Sequence, residues 1–330
     1  MTEPAGGTEP ARRTEPARRT EPARRTEPAR RIGPARRTVP APLLALAAMV
    51  SVQLGAAIAK TRFDEVGSVG AATLRLVIGA VVLALVVRPR VRHWTRQQWL
   101  GALGLGLALG GMNVFIYVAF ASIPIGVAVT IEFLGPLALS LAHTRRWRDV
   151  LWAVLALVGV VLLGVGPAAV TAVGGVVFAV LAAACWAGYI VMNRHVGAAI
   201  PGVDGLAVSM VVAMLVSLPF GLRSAVDGVV REPALLVVFG GVAVLSSVLP
   251  YALEMLALRR MPTRVFGVLQ SLGPAIAALA GLLILHEALA ALEVVALACV
   301  TAASVGVTLT ARRARGGGPG GRTGGAAHVP

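Results

Sequence analysis

An apolar segment reads Ala119-Phe-Ala-Ser-Ile-Pro-Ile-Gly-Val-Ala-Val-Thr-Ile-Glu-Phe-Leu-Gly-Pro136, and a related one reads Ala257-Leu-Arg-Arg-Met-Pro-Thr-Arg-Val-Phe-Gly-Val-Leu-Gln-Ser-Leu-Gly-Pro274. The two segments align without a gap at an offset of 138 positions, and the same alignment further along places Asp149 on Glu287. Each copy predicts a short turn marked by proline, followed by an apolar helix that a Gly-Pro pair interrupts. The chain therefore contains an internal repeat of a broken helix.

The two pairs, Gly135-Pro136 and Gly273-Pro274, have a chemical consequence. A proline inside a helix has no N–H and collides with the carbonyl group four residues earlier, which belongs here to Glu132 and to Gln270. In a bilayer, irregular backbone is tolerated only where protein or a water-filled cavity meets it. Interrupted apolar segments at matching positions of two halves indicate the binding site of a transporter.

The composition excludes several classes of protein. With 57% hydrophobic and 14% charged residues, the chain belongs with multi-pass membrane proteins. The net charge of +15 is concentrated in the tails and beside apolar runs, as membrane topology requires, so we expect no nucleic-acid partner. Cys185 and Cys299 lie in apolar stretches, and no His/Cys/Asp spacing indicates a metal site or a hydrolase triad. We expect no metal, no cofactor and no enzymatic activity.

Both ends of the chain are predicted to be disordered tails. Residues 1–42 repeat the unit Thr8-Glu-Pro-Ala-Arg-Arg13, in which the prolines prevent a helix and nothing can build a core. Low-complexity drift or a start codon assigned too early explains the repeat more simply than the alternative, which is contact with anionic lipid headgroups. Residues 311–330 are the second tail, rich in glycine and arginine.

Ten apolar runs lie between the tails, and each is about long enough to cross a bilayer. We therefore predict an all-α integral membrane protein with ten transmembrane helices, arranged as two inverted five-helix repeats over 43–166 and 167–310. The runs lie near 43–59, 69–87, 98–119, 123–142, 149–166, 173–193, 204–222, 233–256, 264–284 and 289–310.

The basic residues predict the orientation. If the N-terminus is cytoplasmic, most arginines fall in cytoplasmic loops and tails, and the positive-inside rule is obeyed with both termini in the cytoplasm. An odd number of spans in each half inverts the second half, so the uncharged turn at 122–124 faces out and its basic counterpart at 259–264 faces in. The outer loops then carry only Lys60, Arg62, Arg223 and Arg231.

Three ionisable residues lie within the apolar runs: Arg75, Glu132 and Glu254. A charge at the centre of a spanning helix costs at least about 2.5 kcal/mol on insertion scales, so each is a functional candidate. Glu132 lies near the middle of its run, Arg75 in the outer third, and Glu254 near the inner end beside Arg259. An interfacial carboxylate explains Glu254 as well as a site role does. A structural ion pair for Arg75 and a protonated, hydrogen-bonded carboxyl group for Glu132 stay open.

Neutral polar residues at similar depth complete the candidate site. Asn113 and Tyr117 are one turn apart and share a helix face, and Trp186 lies far from the interfacial belt where tryptophan is common. Each alone is more often a contact between helices than a ligand contact, but their convergence near one depth favours a binding site. The predicted substrate-binding residues are Gln53, Arg75, Asn113, Tyr117, Glu132, Trp186 and Gln270.

These features resemble a known family. Two halves, Gly-Pro pairs in the fourth and ninth runs and an acidic start to the fifth and tenth are similar to the drug/metabolite transporter superfamily, with its paired EamA-type domains. The resemblance covers about residues 43–311 and is most specific to bacterial inner-membrane threonine/homoserine exporters of the Rht type. The motifs that carry it are Gly110-Gly-Met-Asn113, Ile125-Gly-Val-Ala128, Glu132-Phe-Leu-Gly-Pro136, Leu249-Pro-Tyr-Ala-Leu-Glu-Met255 and Leu258-Arg-Arg-Met-Pro-Thr-Arg-Val-Phe-Gly267.

The resemblance implies export of small amino acids across the inner membrane, driven by the proton gradient. The candidate residues suit a zwitterion, since Arg75 can bind a carboxylate bidentately and Glu132 can meet an ammonium group. Two alternatives remain: an exporter of another solute, such as a nucleobase, a sugar phosphate or a cation, and a non-transport membrane scaffold. A phosphate would require more than one cavity arginine, and a lipophilic cation an aromatic cage, which 5% aromatic residues make less favourable.

Glu132 is also the predicted proton-coupling residue. Burial disfavours the charged form of a carboxyl group, so a cavity that opens to alternate sides would let Glu132 load and release a proton. A proton and the substrate ammonium would then compete for one carboxylate, which makes exchange obligatory. The predicted partners are the small-molecule substrate, protons and the lipid bilayer, with a homodimer left open.

Overall fold

The structure is a computed structural model that describes residues 39–142, 147–165, 173–200 and 203–315. Most of the predicted first tail, the last residues from 316 and the basic pair Arg145 and Arg146 lie outside these ranges. All regular secondary structure in the described ranges is helical. The helices are α1 Ala41–Lys60, α2 Phe63–Val87, α3 Arg96–Ser122, α4 Ile125–Glu132, α5 Leu134–Ala142, α6 Trp147–Val165, α7 Val173–Ala199, α8 Asp204–Arg231, α9 Leu235–Ala243, the π-helical turn Val244–Val248, α10 Leu249–Leu258, α11 Thr263–Gln270, α12 Gly273–Leu285 and α13 Ala291–Arg315.

Seven helical segments in the described ranges are long and apolar enough to cross a membrane. Three shorter apolar helices cover Val150–Gly159, Leu235–Val248 and Ala291–Val307. The chain is therefore an all-α, multi-pass membrane protein, while the count of ten spans stays a prediction. The seven segments are Ala41–Lys60, Phe63–Val87, Arg96–Ser122, Ile125–Ala142, Val173–Ala199, Asp204–Arg231 and Val265–Leu285.

The described helices form one compact unit, in which the first half of the sequence packs against the second. Helix α2 packs along α8, α3 along α7 and α8, and α6 along α13. Helix α1 contacts α10 and α12, and α4 contacts α7 and α12. The largest buried cluster includes Ala57, Tyr117 and Phe239, so the core is shared between the halves.

Glycines in α3 permit its close approach to α8. A Cβ atom at Gly110 would lie 3.0 Å from the Cα atom of Ala213, and one at Gly106 would collide with Val212. Small residues at helix contacts let backbones approach in apolar solvent, where dispersion rather than water exclusion drives association. The glycine-rich run of α3 is thus a packing surface.

Several helices extend beyond the apolar runs that predicted them. Helix α7 continues to Ala199, α8 to Arg231 and α13 to Arg315, whereas the runs end at 193, 222 and 310. Hydropathy marks the part of a helix that suits lipid, but alanine and arginine continue a helix in water, and basic residues at its C-terminus interact favourably with the helix dipole. Helix α13 thus includes residues 311–315, which the sequence had assigned to the start of the second tail.

The eighth run, predicted as one helix over 233–256, is instead divided by the π-helical turn Val244–Val248. The N–H group of Leu249 donates to the carbonyl of Val244, five residues earlier. Pro250 follows directly and has no N–H to offer the carbonyl of Ser246. Proline thus disturbs this helix as well, and the sequence reading missed it because no Gly-Pro pair marks the position.

The two predicted helix breaks lie next to their Gly-Pro pairs. Helix α4 ends at Glu132, and the chain resumes as α5 after Phe133. Helix α11 ends at Gln270, and after two residues of turn α12 begins with Pro274 in its first helical turn. Both half-helices therefore end at the residue four positions before the proline.

Candidate functional site

A cavity of about 280 Å³ lies between the helices near the two breaks. Its walls come from both halves of the chain, including α1, α2 and α3 from the first half and α7, α10 and α11 from the second. The structure brings all the predicted substrate-binding residues to this one cavity, together with Gly273, whereas Gly135, Pro136 and Pro274 do not line it. Those lining residues are Gln53, Arg75, Asn113, Tyr117, Glu132, Trp186 and Gln270.

Arg75 and Tyr117 form one pole of the cavity. The guanidinium carbon of Arg75 lies 5.2 Å from the centre of the Tyr117 ring, in a cation–π arrangement. The Nε atom of Arg75 and the hydroxyl of Tyr117 are both buried, and neither makes a hydrogen bond of good geometry to a described residue. Buried polar groups are nearly always paired, so this pole is equipped to bind a ligand.

Glu132 forms a second pole, at the end of α4. The residue is only 9% exposed. It is close enough to Arg75 to interact with it electrostatically, yet across the described ranges no ion pair within 4.0 Å involves it. The cavity therefore holds a guanidinium group and a carboxyl group that lie more than 4.0 Å apart.

Two amide side chains lie beside these poles. The Nε2 atom of Gln53 donates to the carbonyl of Gly273 at 3.3 Å, which joins α1 to the second break. Asn113 is 3% exposed, and its Nδ2 atom donates to the carbonyl of Leu109 at 2.7 Å, within its own helix. Gln53 thus contacts the interrupted backbone directly, and Asn113 presents the rest of its amide from α3.

Aromatic packing fixes the two breaks against each other and against α7. The rings of Phe133 and Trp186 meet edge to face, with centroids 4.8 Å apart at an angle of 88°. A Cβ atom at Gly273 would lie 2.7 Å from the Phe133 ring, and one at Gly135 would collide with the carbonyl of Ala183. The glycine of each pair is therefore needed for close packing, which accounts for its place beside proline.

The cavity wall includes residues beyond the predicted substrate-binding set. Glu254, for which the sequence left a site role open, lines the cavity, and its Oε1 atom lies 3.5 Å from the Nε2 donor of Gln270. Ser246, Ser247 and Pro250, which the sequence did not identify, line it as well. Part of the signal was available, because Pro250 and Glu254 of α10 are four residues apart and share a helix face.

A separate polar cluster closes the end of the bundle where α1 ends and α4 begins. Lys60 Nζ lies 2.6 Å from Glu287 Oε1 and donates to the carbonyl of Ile123 at 3.1 Å. Glu287 Oε2 accepts the N–H of Ile125 at 2.9 Å, which caps α4. Lys60, assigned by sequence to a loop, is therefore a mostly buried ion-pair partner.

Helices that bury an ionic and amide-lined cavity at the level of their breaks define a multi-pass membrane transporter. The sequence model of the EamA-like transporter family matches residues 173–309. Together with the relatives below, this shows that the chain belongs to the EamA-like family of the drug/metabolite transporter superfamily, and it confirms the resemblance found in the sequence.

The relatives are exporters rather than enzymes. The threonine/homoserine exporter RhtA of Salmonella typhimurium (strain LT2) is 41% identical over 273 residues, which is 82% of this chain and 92% of that protein. RhtA of Escherichia coli (strain K12) is 39% identical with the same coverage. A solved crystal structure covers 83% of this chain and 99% of its own, with 22% identity and a TM-score of 0.52, and this likeness shows the fold alone.

Proposed function

We propose that this chain exports small amino acids such as threonine or homoserine across the bacterial inner membrane. The observation that carries the proposal is the cavity with Arg75 at one pole and Glu132 at another, neither of which has an ion-pair partner among the described residues. A zwitterion offers one carboxylate and one ammonium group, so it complements both poles at once. The names of the curated relatives point to the same class of substrate.

In this proposal, Arg75 binds the substrate carboxylate and Glu132 binds the ammonium group. The Tyr117 hydroxyl, also without a partner in the described part of the chain, stands beside Arg75 as a further donor to the carboxylate. Asn113, Gln53 and Gln270 supply neutral hydrogen-bonding groups, and Trp186 closes the wall through its contact with Phe133. A charged solute is then held in apolar surroundings without an unpaired charge.

We further propose ten spans in two inverted halves. Helix pairings support this arrangement, because exchanging the halves turns the contact of α3 with α7 into that of α1 with α10, and the contact of α5 with α7 into that of α12 with α1. The pairs of α2 with α8 and α6 with α13 map onto themselves. Such exchange is the expectation for two repeats related by a two-fold axis in the membrane plane.

Alternating access then follows from rocking of one half against the other around the cavity. With both termini in the cytoplasm, the Lys60–Glu287 pair lies at the outer end, where it ties α1, α4 and the loop before α13. Export by proton antiport requires that this end open to release substrate and admit a proton to Glu132. The ion pair is therefore a contact that the outward-open state must change.

The substrate and the coupling are tested with purified protein in proteoliposomes. Vesicles loaded with labelled threonine or homoserine are placed in a pH gradient. Their release of label is compared with that from vesicles prepared without protein. Gradient-driven release and counterflow of either amino acid are expected. If no small amino acid shows counterflow, the substrate assignment is wrong.

The topology has its own test. A reporter fused after Arg315, at the end of α13, is expected to report a cytoplasmic location. A second fusion within the turn at 122–124 is expected to report the outer side. A periplasmic signal from the fusion after Arg315 would exclude the proposed arrangement of ten spans with both termini in the cytoplasm.

A further inference from the structure

The π-helical turn Val244–Val248 places two consecutive serines, Ser246 and Ser247, on the wall of the cavity. Single π-helical turns inside α-helices are rare and concentrate at functional sites. Here the turn leaves the carbonyl of Leu245 without its usual helical donor, and Ser51 of α1 donates to it at 2.6 Å. The irregular backbone is therefore held in place by a neighbouring helix.

The hydroxyl of Ser246 is buried and has no hydrogen-bond partner among the residues that the structure describes. It packs against Gly55 of α1 so closely that a Cβ atom there would collide with the Ser246 Oγ atom. Burying a hydroxyl without a partner is unfavourable, so its retention beside a cavity calls for a ligand that pairs with it. Rotation about χ1 by about 120° moves a serine hydroxyl from one staggered position to another.

Ser247 lies beside α2 at a position one helical turn from Arg75. Gly79 follows Arg75 by four residues on the same face of α2, and a Cβ atom at Gly79 would lie 3.6 Å from Ser247 Oγ. One turn of α-helix is about 5.4 Å long. That separation suits a small amino acid whose carboxylate and side-chain hydroxyl are bound at the two ends.

We infer that Ser246 and Ser247 form the subsite that recognises the side-chain hydroxyl of the substrate. This inference rests on the proposed function and adds the source of its selectivity. The substrate hydroxyl fills the missing hydrogen bond of Ser246, while Ser247 lines the same wall. An aliphatic side chain of equal size would leave the Ser246 hydroxyl unpaired and is rejected for that reason.

The test compares threonine with valine, which replaces the hydroxyl by a methyl group of similar size. Full-length protein is reconstituted with both amino acids, each carrying a different label, and the ratio of their initial transport rates is measured. We expect the wild type to prefer threonine, and we expect Ser246→Ala to lower that preference by about tenfold or more while valine transport is retained. The double variant Ser246→Ala/Ser247→Ala should lose the preference.

Ser224→Ala is the matched control, since Ser224 donates to the carbonyl of Gly221 in its own helix and lies outside the cavity wall. It should leave the threonine-to-valine ratio unchanged. An unchanged ratio in the double variant, with transport intact, overturns the subsite and leaves the proposed function standing. Absence of amino acid transport in the wild type overturns both.

A second measurement does not depend on the variants folding. Threonine and valine are added to the detergent-solubilised wild type, and the thermal unfolding midpoint is followed against concentration. Stronger stabilisation by threonine at equal concentration supports the hydroxyl subsite, because a ligand stabilises in proportion to its binding to the folded state. Equal stabilisation by the two amino acids overturns it.

Discussion

At the first interruption, α4 ends at Glu132, a carboxylate without an ion-pair partner in the described ranges; at the second, α11 ends at Gln270, a neutral amide bonded to Glu254. Both halves contain the same backbone feature, which is a half-helix that ends four residues before a proline. The side chains at its end differ, a carboxyl group in the first half and an amide in the second. The repeat thus supplies the same backbone geometry twice, and the proposed mechanism assigns proton coupling to the half that carries the carboxyl group.

The two interruptions also differ in how they pack. Gly126 of α4 packs against the backbone of α12, since a Cβ atom at position 126 would lie 2.8 Å from the Cα atom of Ala278. Gly273 of α12 meets the far edge of the Phe133 ring at 2.7 Å. Backbone cannot yield as an aromatic ring can, so the first contact is the more rigid of the two.

The largest effect is expected from Glu132→Gln, which makes the first interruption resemble the second. Losing the charged partner of the substrate ammonium should lower pH-gradient-driven export by about 10- to 150-fold, since hydrogen bonds to charged groups contribute about 1.5–3 kcal/mol. Initial rates in proteoliposomes measure this. The variant should still be extracted as a folded monodisperse protein, because glutamine keeps the shape of the side chain.

The reciprocal variant Gln270→Glu is the control for position. Gln270→Glu alone adds a carboxylate at the matching break and keeps Glu132. The double variant Glu132→Gln/Gln270→Glu has its carboxylate only at the second break, and it should not recover export. Full gradient-driven transport by Glu132→Gln would return that residue to a structural role and remove the difference in coupling between the halves.

A smaller loss is expected from Arg75→Lys, which keeps the positive charge facing Glu132 but loses the planar guanidinium group. Bidentate binding of a carboxylate and stacking on Tyr117 both depend on that shape, so the apparent affinity for threonine should fall by about tenfold. Concentration dependence of counterflow measures it. Arg223→Lys is the control, since the Arg223 side chain is 97% exposed and should tolerate the change. Wild-type affinity in Arg75→Lys would place the substrate carboxylate elsewhere.

Packing gives the next comparison, between Gly126→Ala and Gly273→Ala. Overpacking against backbone should lower the free energy of unfolding of Gly126→Ala by about 1–3 kcal/mol. In Gly273→Ala, rotation of the Phe133 ring relieves the clash, so the loss of stability should be smaller. Thermal unfolding in one detergent separates the two, and equal destabilisation would contradict the difference in rigidity. Gly273→Ala should instead slow transport, because Phe133 holds Trp186 at the cavity wall.

Much of the fold was accessible from sequence because a bilayer leaves few options. Apolar runs of spanning length predict helices, and Gly-Pro pairs predict where two of them stop. The convergence of Gln53, Arg75 and Glu132 on one cavity was likewise predictable, since polar side chains at mid-depth must face protein or water. These rules act on each position locally and need no knowledge of the neighbours.

What the sequence could not supply depends on neighbours. The π-helical turn arises where Pro250 meets a helix supported by Ser51, and no pattern in the run itself announces that contact. From the sequence, Lys60 is assigned to a loop. The structure shows that it forms an ion pair with Glu287, which is distant in sequence. Depth alone leaves an interfacial and a site role equally open for Glu254, and the packing of α10 is what shows that it lines the cavity.

The smallest effect is expected from Glu254→Gln, which neutralises the partner of Gln270 at the second interruption. The contact between them is long, 3.5 Å, and a glutamine can still accept from the Gln270 amide, so export should fall by no more than about fivefold. Because Glu254 is not one of the two serines of the proposed hydroxyl subsite, any loss should appear in the rate rather than in the threonine-to-valine ratio. Parallel assays of Glu254→Gln and Glu132→Gln across one pH gradient measure the difference. A loss in Glu254→Gln as large as that in Glu132→Gln would mean that both interruptions carry a coupling carboxylate, one directly and one through Gln270, and the unequal division between the halves would then be wrong.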